Sequence, residues 1–436
     1  MSREPVEVET EIVGLTHDGH GIAALDGERV FVPGALPGER AILSIERRRR
    51  RKRRVNLVEV LAPVADRVEP PCEYFGRCGG CAVQHLSYEA QVRFKESVVR
   101  DAFERIAGLE IPEWLVPLTG EQWHYRRRAR LGVRYVDGKE RVLVGFKERA
   151  TRYVTDMSSC RVLVKPMDRL PGELSRTVEQ TSLTRQLPQA EVAVGDDARA
   201  VVLRVLAEPT PDDLAHFAAL GRDLGIDIYL QTGGPGTVQP LEPETAGTLS
   251  YKLEEFDVEL EFAPTDFVQV NGAINAAMVH RVVDRLEIAA SDRVLDLYCG
   301  LGNFSLPIAR HAAEVVGVEG EGGLVARAAH NARHNDISNA QFVTADLLEA
   351  DWPFLRERWD LVVLDPPRSG ADAAVKLMRK MGPRRIVYVS CHPATLARDA
   401  LELTANQGYR LVAAGIADMF PHTHHVEALA VFDRCD

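Results

Sequence analysis

The chain has 436 residues, 45% of them hydrophobic and 27% charged, enough for two or three domains with a sizeable core and ordinary for a globular enzyme. No stretch approaches the roughly eighteen apolar residues that cross a bilayer, and the N-terminus MSREPVEVET has no apolar signal core, so a cytoplasmic protein without a membrane partner is expected. A net charge of −11 argues by itself against nucleic acid, yet Arg47 to Arg54 reads RRRRRKRR, a cationic block on an acidic body that suits contact with RNA or DNA.

Residues 1–62 alternate short strand-like runs with glycine turns: VEVETEIVGL, GHGIAAL, ERVFVPG, ERAILSIE and VNLVEVL, at barrel-like spacing. The pattern resembles the TRAM domain, a small OB-like barrel that binds RNA. The arginine run falls between the last two strands, where a hairpin would present it to phosphates for affinity rather than sequence choice. Pro63, Pro70 and Pro71 mark a boundary. Cys72, Cys78 and Cys81 then form C-x5-C-x2-C in a glycine-rich loop, with Cys160 far along the chain. In a cytosolic protein such a cluster reads as a metal site. The residues alone leave zinc and iron–sulfur open, although C-x5-C is wider than the usual zinc knuckle. From about residue 84 to 112 the spacing turns helical, with Val92, Val98, Val99, Phe103 and Ile106 as an apolar stripe. Residues 121 to about 262 are strand-rich, and one early strand carries Arg126, Arg127, Arg128, Arg130 and Arg134 as a second basic surface.

From residue 290 onward strands alternate with helices: RVLDLYC, EVVGVE, AQFVTAD, DLVVLD, RIVYVS, YRLVAAGIA and EALAVF. That rhythm implies an α/β domain with a mostly parallel, doubly wound, Rossmann-like sheet, which binds ligands at the carboxyl ends of its strands. In DLYCGLGNFSLPIA the turn after the first strand uses Gly300 and Gly302, and Glu319 ends the next strand, placed to accept ribose hydroxyls. The pattern alone is ambiguous between NAD and S-adenosylmethionine. A pyrophosphate wants G-x-G-x-x-G at a helix N-terminus, but position 305 is Ser and Asp296 sits inside the strand. The reading therefore favours S-adenosylmethionine, with Asp346 suited to the adenine amine. The fourth strand ends in LDPPRSG, and Arg368 stands where amino-methyltransferases carry an aromatic residue that stacks on the target base.

Ser390, Cys391, His392 and Pro393 follow the fifth strand, so Cys391 is expected at a helix N-terminus, where the dipole favours a thiolate. Methylating an unactivated pyrimidine C5 needs such a nucleophile: a thiolate adds to C6, C5 becomes enolate-like and takes the methyl, and a base then removes the C5 proton. Glu427 suits that last step, with His424 and His425 as alternative proton handlers.

With these residues in hand, the chain resembles the RNA uracil-C5-methyltransferases, closest to the bacterial 23S rRNA (uracil-1939-C5)-methyltransferase family. The likeness runs through the barrel, the cysteine cluster, FVQVN, DLYCGLGNF, VGVE, LDPPR, VSCHP and HVEALAVF. It implies three domains: a TRAM barrel at 1–62, a central domain at 63–265 whose helix about 84–112 packs on the catalytic domain, and a methyltransferase domain at 266–436. It implies a [4Fe-4S] cluster on Cys72, Cys78, Cys81 and Cys160, and a cofactor pocket of Gln269, Tyr298, Asn303, Glu319, Asp346 and Asp365. Cys391 matches the nucleophile and Glu427 the base. The expected substrate is a uridine of 23S rRNA, at position 1939, handled by a monomer with no obligate protein partner. Methylation of a tRNA or another rRNA uridine, and a noncatalytic iron–sulfur RNA-binding protein, are the competing readings. One departure stands out: the family commonly has SCNP where this chain has SCHP, which leaves His392 without a role.

Overall fold

The structure is a computed structural model that describes residues 5–47, 53–347 and 352–435; residues 48–52, most of the basic run, lie outside them. The chain forms two compact units. The first takes the chain up to Lys95 together with Lys147–Tyr153 and Phe420–His425, and the second holds Glu96–Phe146, Val154–Met419 and everything from Val426 on.

In the first unit β1 (Val6–Leu15), β2 (His20–Leu25), β3 (Glu28–Pro33), β4 (Arg40–Arg47) and β5 (Arg53–Ala62) form an antiparallel sheet in the order β3-β2-β1-β4-β5. A register shift between Ile12 and Gly14 lets β1 pair with β4 through its first half and with β2 through its second. Period-two alternation sends Ile12, Ala23, Val32 and Leu43 into one fully buried core. Glu39 is fully buried there and is compensated by the backbone N–H of Leu36 and a fork from Arg67 at 2.5 and 2.8 Å. Arg47 faces Arg53 across β4 and β5, so the basic run joins the two strands of one antiparallel pair. The cysteine loop is stitched to the unit's distant segments: Gly79 donates to Lys147 O, and Ala82 and Val83 both donate to His422 O.

Helix α1 (Tyr88–Ala102) follows, and its last turn runs on as a π-helical segment, Phe103–Ala107, closed by Gly108 at φ +65°. Val99 and Phe103 are fully buried, as the apolar stripe requires, but Ile106 is 44% exposed. The π-turn fits an extra residue into one turn, so the 3.6-residue period that put Ile106 on the buried face lapses there.

The second unit holds β6 (Glu113–Trp114), β7 (Arg128–Val136), β8 (Arg141–Gly145), α2 (Leu170–Glu179), β9 (Gln189–Val194), β10 (Arg199–Arg204), α3 (Pro211–Leu224), β11 (Asp227–Gln231) and β12 (Val238–Pro240). Strands β7 to β12 make a sheet in the order β12-β11-β10-β9-β7-β8. The arginines read as a second basic surface are largely engaged internally. Arg127 pairs with Asp196 at 2.5 Å, Arg130 with Glu191 at 3.1 Å, Arg126 donates to the Arg128 carbonyl, and the half-buried Arg128 donates to Pro264 O.

Next come the hairpin β13 (Ser250–Leu253) and β14 (Val258–Glu261), then α4 (Gly272–Leu286), β15 (Arg293–Leu297), α5 (Ser305–Ala309), β16 (Glu314–Glu319), α6 (Gly322–His334), β17 (Ala340–Thr344) and β18 (Leu361–Leu364). The chain finishes with α7 (Asp372–Val375), α8 (Met378–Met381), β19 (Arg385–Ser390), α9 (Pro393–Ala405), β20 (Tyr409–Ala417) and β21 (Glu427–Arg434). The seven strands expected after residue 290 all form, in a sheet of order β17-β16-β15-β18-β19-β21-β20-β6. Strands β15 to β19 are parallel, as the doubly wound reading requires, whereas β21 runs antiparallel between β19 and β20. The eighth strand, β6, lies far upstream in sequence and pairs with β20 through Glu113 and Trp114. Because β15 neighbours both β16 and β18, the chain reverses direction there and opens a crevice at the carboxyl ends of β15 and β18.

Asn331 of α6 and Asn335, the residue that caps its C-terminus, dock the β13–β14 hairpin by imitating a strand edge. Asn331 accepts from Glu261 N at 3.0 Å and donates to Glu261 O at 3.1 Å, and Asn335 does the same at Glu259 at 2.7 Å each way. Asn331 is fully buried, so Asn331→Ala leaves backbone groups of Glu261 unmatched. The variant should lose roughly 1–3 kcal/mol of stability, read as a lower denaturant midpoint with unchanged slope.

Candidate active site

The cofactor side is built from the turn after β15. Tyr298 takes φ +67°, uncommon for a residue with a side chain, and both Tyr298 N and Cys299 N bond to Val318 O. Gly300 and Gly302 follow with φ of +56° and +97°. Glu319, at the end of β16, accepts from Gly300 N at 3.2 Å and from Glu321 N at 3.0 Å, so its carboxylate is fixed beneath the glycine turn. Asn303 exchanges two 2.9 Å hydrogen bonds with Asn275 of α4 and accepts a third from the Tyr251 hydroxyl of β13. Those bonds lock the turn between hairpin and helix. Gln269 is half-buried in the loop before α4, two residues ahead of Asn271, whose side chain caps that helix at Ile274 N. Asp346 is exposed just past β17.

Asp296, inside β15, is fully buried, and the hydroxyl of Ser305 donates to it at 2.5 Å. Burial pushes its carboxyl up to about 7. Serine at position 305, where a pyrophosphate site would need glycine, therefore has a partner of its own. The other Asp296 oxygen, Oδ1, has no hydrogen-bond partner among the described residues.

The chemical side lies on β18, β19 and β21. Cys391 is half-buried directly after β19, and Glu427, 5% exposed, opens β21. Strand register brings them together: antiparallel pairing sets Ser390 opposite Ala428, so the end of β19 meets the start of β21. Asp365 and Arg368 arrive from the loop after β18. Burial raises the Cys391 thiol to about 11, the Glu427 and Asp365 carboxylates add to the rise, and Arg368 and a backbone N–H oppose it. The expected thiolate is thus not the resting form, because burial beside two carboxyls outweighs the helix N-terminus. Burial also lifts Glu427 well above the carboxylate range, with Asp365 adding and Arg368 opposing. Asp365 rises to about 7, through burial and then Asp296. All three groups are shifted toward their neutral forms, and Arg368 opposes the shift at both Cys391 and Glu427.

His392 has a local role. It is the N-cap of α9, its ring Nδ1 accepting from Thr395 N at 3.3 Å while Pro393 occupies the first helical turn. A cap needs a short side-chain acceptor, the task asparagine performs in the commoner SCNP. His424 and His425 belong to the first unit, their ring centroids 4.3 Å apart, while Glu427 belongs to the second with Cys391.

Cys72, Cys78 and Cys81 lie in the first unit and Cys160 in the second. Among the described residues no group of three or more His, Cys, Asp or Glu side chains is placed to hold a metal ion. No described helix is long and apolar enough to cross a membrane.

The family model for tRNA (uracil-5-)-methyltransferase matches residues 87–434. The chain belongs to that family. The catalytic sheet, the glycine turn and the Cys391–Glu427 pair are thus parts of a uracil-C5 methyltransferase. A relative from Alkalilimnicola ehrlichii, named 23S rRNA (uracil(1939)-C(5))-methyltransferase RlmD, is 48% identical to this methyltransferase over all of its chain and 98% of the relative. A protein of the same name from Nitrosococcus oceani is 48% identical over all of the chain and 97% of its own. Among solved structures, Pyrococcus abyssi tRNA (uracil-54, C5)-methyltransferase in complex with S-adenosyl-L-homocysteine has a TM-score of 0.73 at 24% identity, covering 98% of this chain and 100% of that one. That likeness shows the shared fold.

Sequence reasoning overlooked Arg368 as a charge acting on the thiol, although its place directly after Asp365-Pro366-Pro367 was the available signal. It also overlooked the Asn275–Asn303–Tyr251 lock, whose members are far apart in sequence. Alkylation of Cys391 by iodoacetamide, followed by peptide mass spectrometry, should climb with pH toward a midpoint near 11. Arg368→Gln should slow it at fixed pH, because the opposing cation is gone, and Glu427→Gln should speed it. A midpoint in the ordinary thiol range would contradict the described environment.

Proposed function

We propose that this methyltransferase moves a methyl group from S-adenosylmethionine to C5 of a uridine in 23S rRNA, at position 1939, through a covalent Cys391–C6 adduct. The observation that carries the reading is the meeting of Cys391 and Glu427 across adjacent antiparallel strands, beside the crevice at β15 and β18. The 23S substrate and its position follow the near full-length relatives of that name. Methylation of a tRNA is the second reading, favoured by the whole-chain likeness to a tRNA enzyme.

Gln269, Tyr298, Asn303, Glu319, Asp346 and Asp365 are assigned to the cofactor. Three observations support a fit: the open glycine turn, the Glu319 carboxylate held beneath it, and the unpartnered Asp296 oxygen. When bound, S-adenosylmethionine supplies an electrophilic methyl on a sulfonium. The target base must leave its stack to reach a half-buried thiol. Cys391 Sγ passes its proton to the Asp365 carboxylate and adds to C6, and the C5=C6 electron pair moves onto the C4 carbonyl as an enolate. C5 then takes the methyl, Glu427 as carboxylate removes the C5 proton, and the returning pair re-forms C5=C6 and expels the Cys391 thiolate. Asp365, at about 7, can hold or release a proton beside the thiol at neutral pH.

The domain limits 1–62, 63–265 and 266–436 stand as part of this proposal, with residues 1–62 as a TRAM barrel that contacts RNA. Packing of the helix about 84–112 on the catalytic domain is supported by Trp114 of β6, which donates to Glu96 at 2.5 Å and lies 3.9 Å under Arg100. A monomer acting in the cytoplasm on rRNA completes the reading. The [4Fe-4S] cluster rests on the C-x5-C-x2-C spacing, Cys160 and the resemblance, and no catalytic step runs through it.

Cys391→Ala should abolish methyl transfer to 23S rRNA while RNA binding persists. Glu427→Gln should form the methylated adduct and stall, leaving an RNA–protein species on a denaturing gel and turnover slower by about 10²–10⁴-fold. Methylation that survives Cys391→Ala would end the covalent mechanism. For the cluster, protein purified without oxygen should be brown and contain iron and sulfide, and Cys78→Ser should bleach it. Colourless protein holding zinc would replace the assignment.

A further inference from the structure

Asp399 is a fully internal carboxylate that the mechanism above leaves unused: it is 1% exposed, on the second turn of α9. Its oxygens gather three parts of the site. Oδ2 accepts from Ala371 N at 2.9 Å, in the loop after β18, and from the hydroxyl of Tyr388 at 2.6 Å, on β19 two residues before Ser390. Oδ1 accepts from Arg398 Nε at 2.9 Å and Nη2 at 2.6 Å, and that same Nη2 donates to Ser369 O at 3.0 Å. The loop closes on itself through Gly370 N to Pro367 O, with Gly370 at φ +82°. A Cβ at Gly370 would lie 2.5 Å from Arg398 Nη2 and 2.7 Å from Asp399 Oδ2, so the clamp occupies the space a side chain would need.

The clamped loop is the one that presents Asp365 and Arg368, and the helix that supplies the clamp is the one whose cap follows Cys391. We propose that Asp399 is a positioning residue for methyl transfer: with Tyr388 and Arg398 it pins the 365–371 loop to the start of α9 and so sets where Arg368 and Asp365 stand relative to Cys391. A charge three residues from a loop anchor, as Arg368 is from Ala371, moves when the anchor is cut. Displacements of about an ångström at reacting groups cost on the order of a hundredfold in rate. The inference rests on the reading of Cys391 as the nucleophile.

The test compares wild type, Cys391→Ala, Asp399→Asn, Asp399→Glu, Tyr388→Phe and Gly370→Ala in single-turnover methylation of 23S rRNA fragments, with Cys391 alkylation measured alongside. Asp399→Asn should lower kcat on the order of tenfold to a hundredfold, with KM for RNA and for S-adenosylmethionine within about twofold, a loss confined to the chemical step. It should also change the alkylation rate of Cys391, which a purely structural residue in a folded protein would leave alone. Tyr388→Phe and Gly370→Ala should show the same signature more weakly, and Asp399→Glu should recover part of the rate. Unchanged kcat and alkylation in Asp399→Asn would overturn the proposal. So would a loss of affinity for both substrates in all the clamp variants, the mark of a scaffold residue. Should Asp399→Asn fail to fold, Tyr388→Phe and Gly370→Ala decide by the same two readouts. An active Cys391→Ala variant would instead count against the nucleophile itself.

Discussion

The register of one antiparallel strand pair governs the chemistry of this protein. Strand β21 enters between β19 and β20 against the direction of β19, with Ser390 opposite Ala428, and that alignment carries Glu427 to the residue that follows Ser390. A parallel β21 would send its first residue to the far end of the sheet, a strand length of about 20 Å away at 3.3 Å per residue. A slip of one position would turn Glu427 to the opposite face. The doubly wound half of the sheet opens the crevice at β15 and β18, and the reversed strand brings the Glu427 carboxyl to the end of β19, as the proposed covalent route to C5 requires.

What surrounds that pair is an environment hostile to charge. Cys391, Glu427 and Asp365 are all driven toward their neutral forms, chiefly by removal from water and then by one another. Arg368 is the counterweight for both the thiol and Glu427. Such surroundings hold the half-buried Cys391 thiol in its less reactive, protonated form until something changes the balance. The proposed reaction alternates charge: negative sulfur at attack, then a negative carboxyl at proton removal. Groups held near neutrality by the same surroundings can exchange that single charge with little reorganisation.

Much of the fold could be read from local patterns, and the reasons are physical. Strands buried on both faces, such as Leu361–Leu364 and Arg385–Ser390, are nearly continuous apolar runs and declare themselves. The glycine turn at Gly300 and Gly302 declares itself through a backbone few other residues adopt. Strand β6 did not, because two residues paired to β20 leave no periodicity. Ile106 misled because a π-turn changes the period without changing composition. Within the site, residue types were legible and their interactions were not. The resting proton on Cys391 depends on carboxyls that are 26 and 36 positions away in sequence but close in space. The lattice of Asn275, Asn303 and Tyr251 likewise exists only once hairpin, turn and helix have met.

The cap of α9 carries a consequence of its own. Asparagine keeps its amide oxygen as an acceptor at any acidity, whereas an imidazole accepts only through a nitrogen that carries no proton. With histidine at 392 the acceptor is a ring nitrogen, so the first turn of α9 keeps its contact of about 1 kcal/mol only in the tautomer that leaves Nδ1 bare toward the Thr395 N–H. The segment that begins one residue after Cys391 is therefore tied to which ring nitrogen carries the hydrogen, a constraint that a single exchange of capping residue installs without altering Cys391 or Glu427.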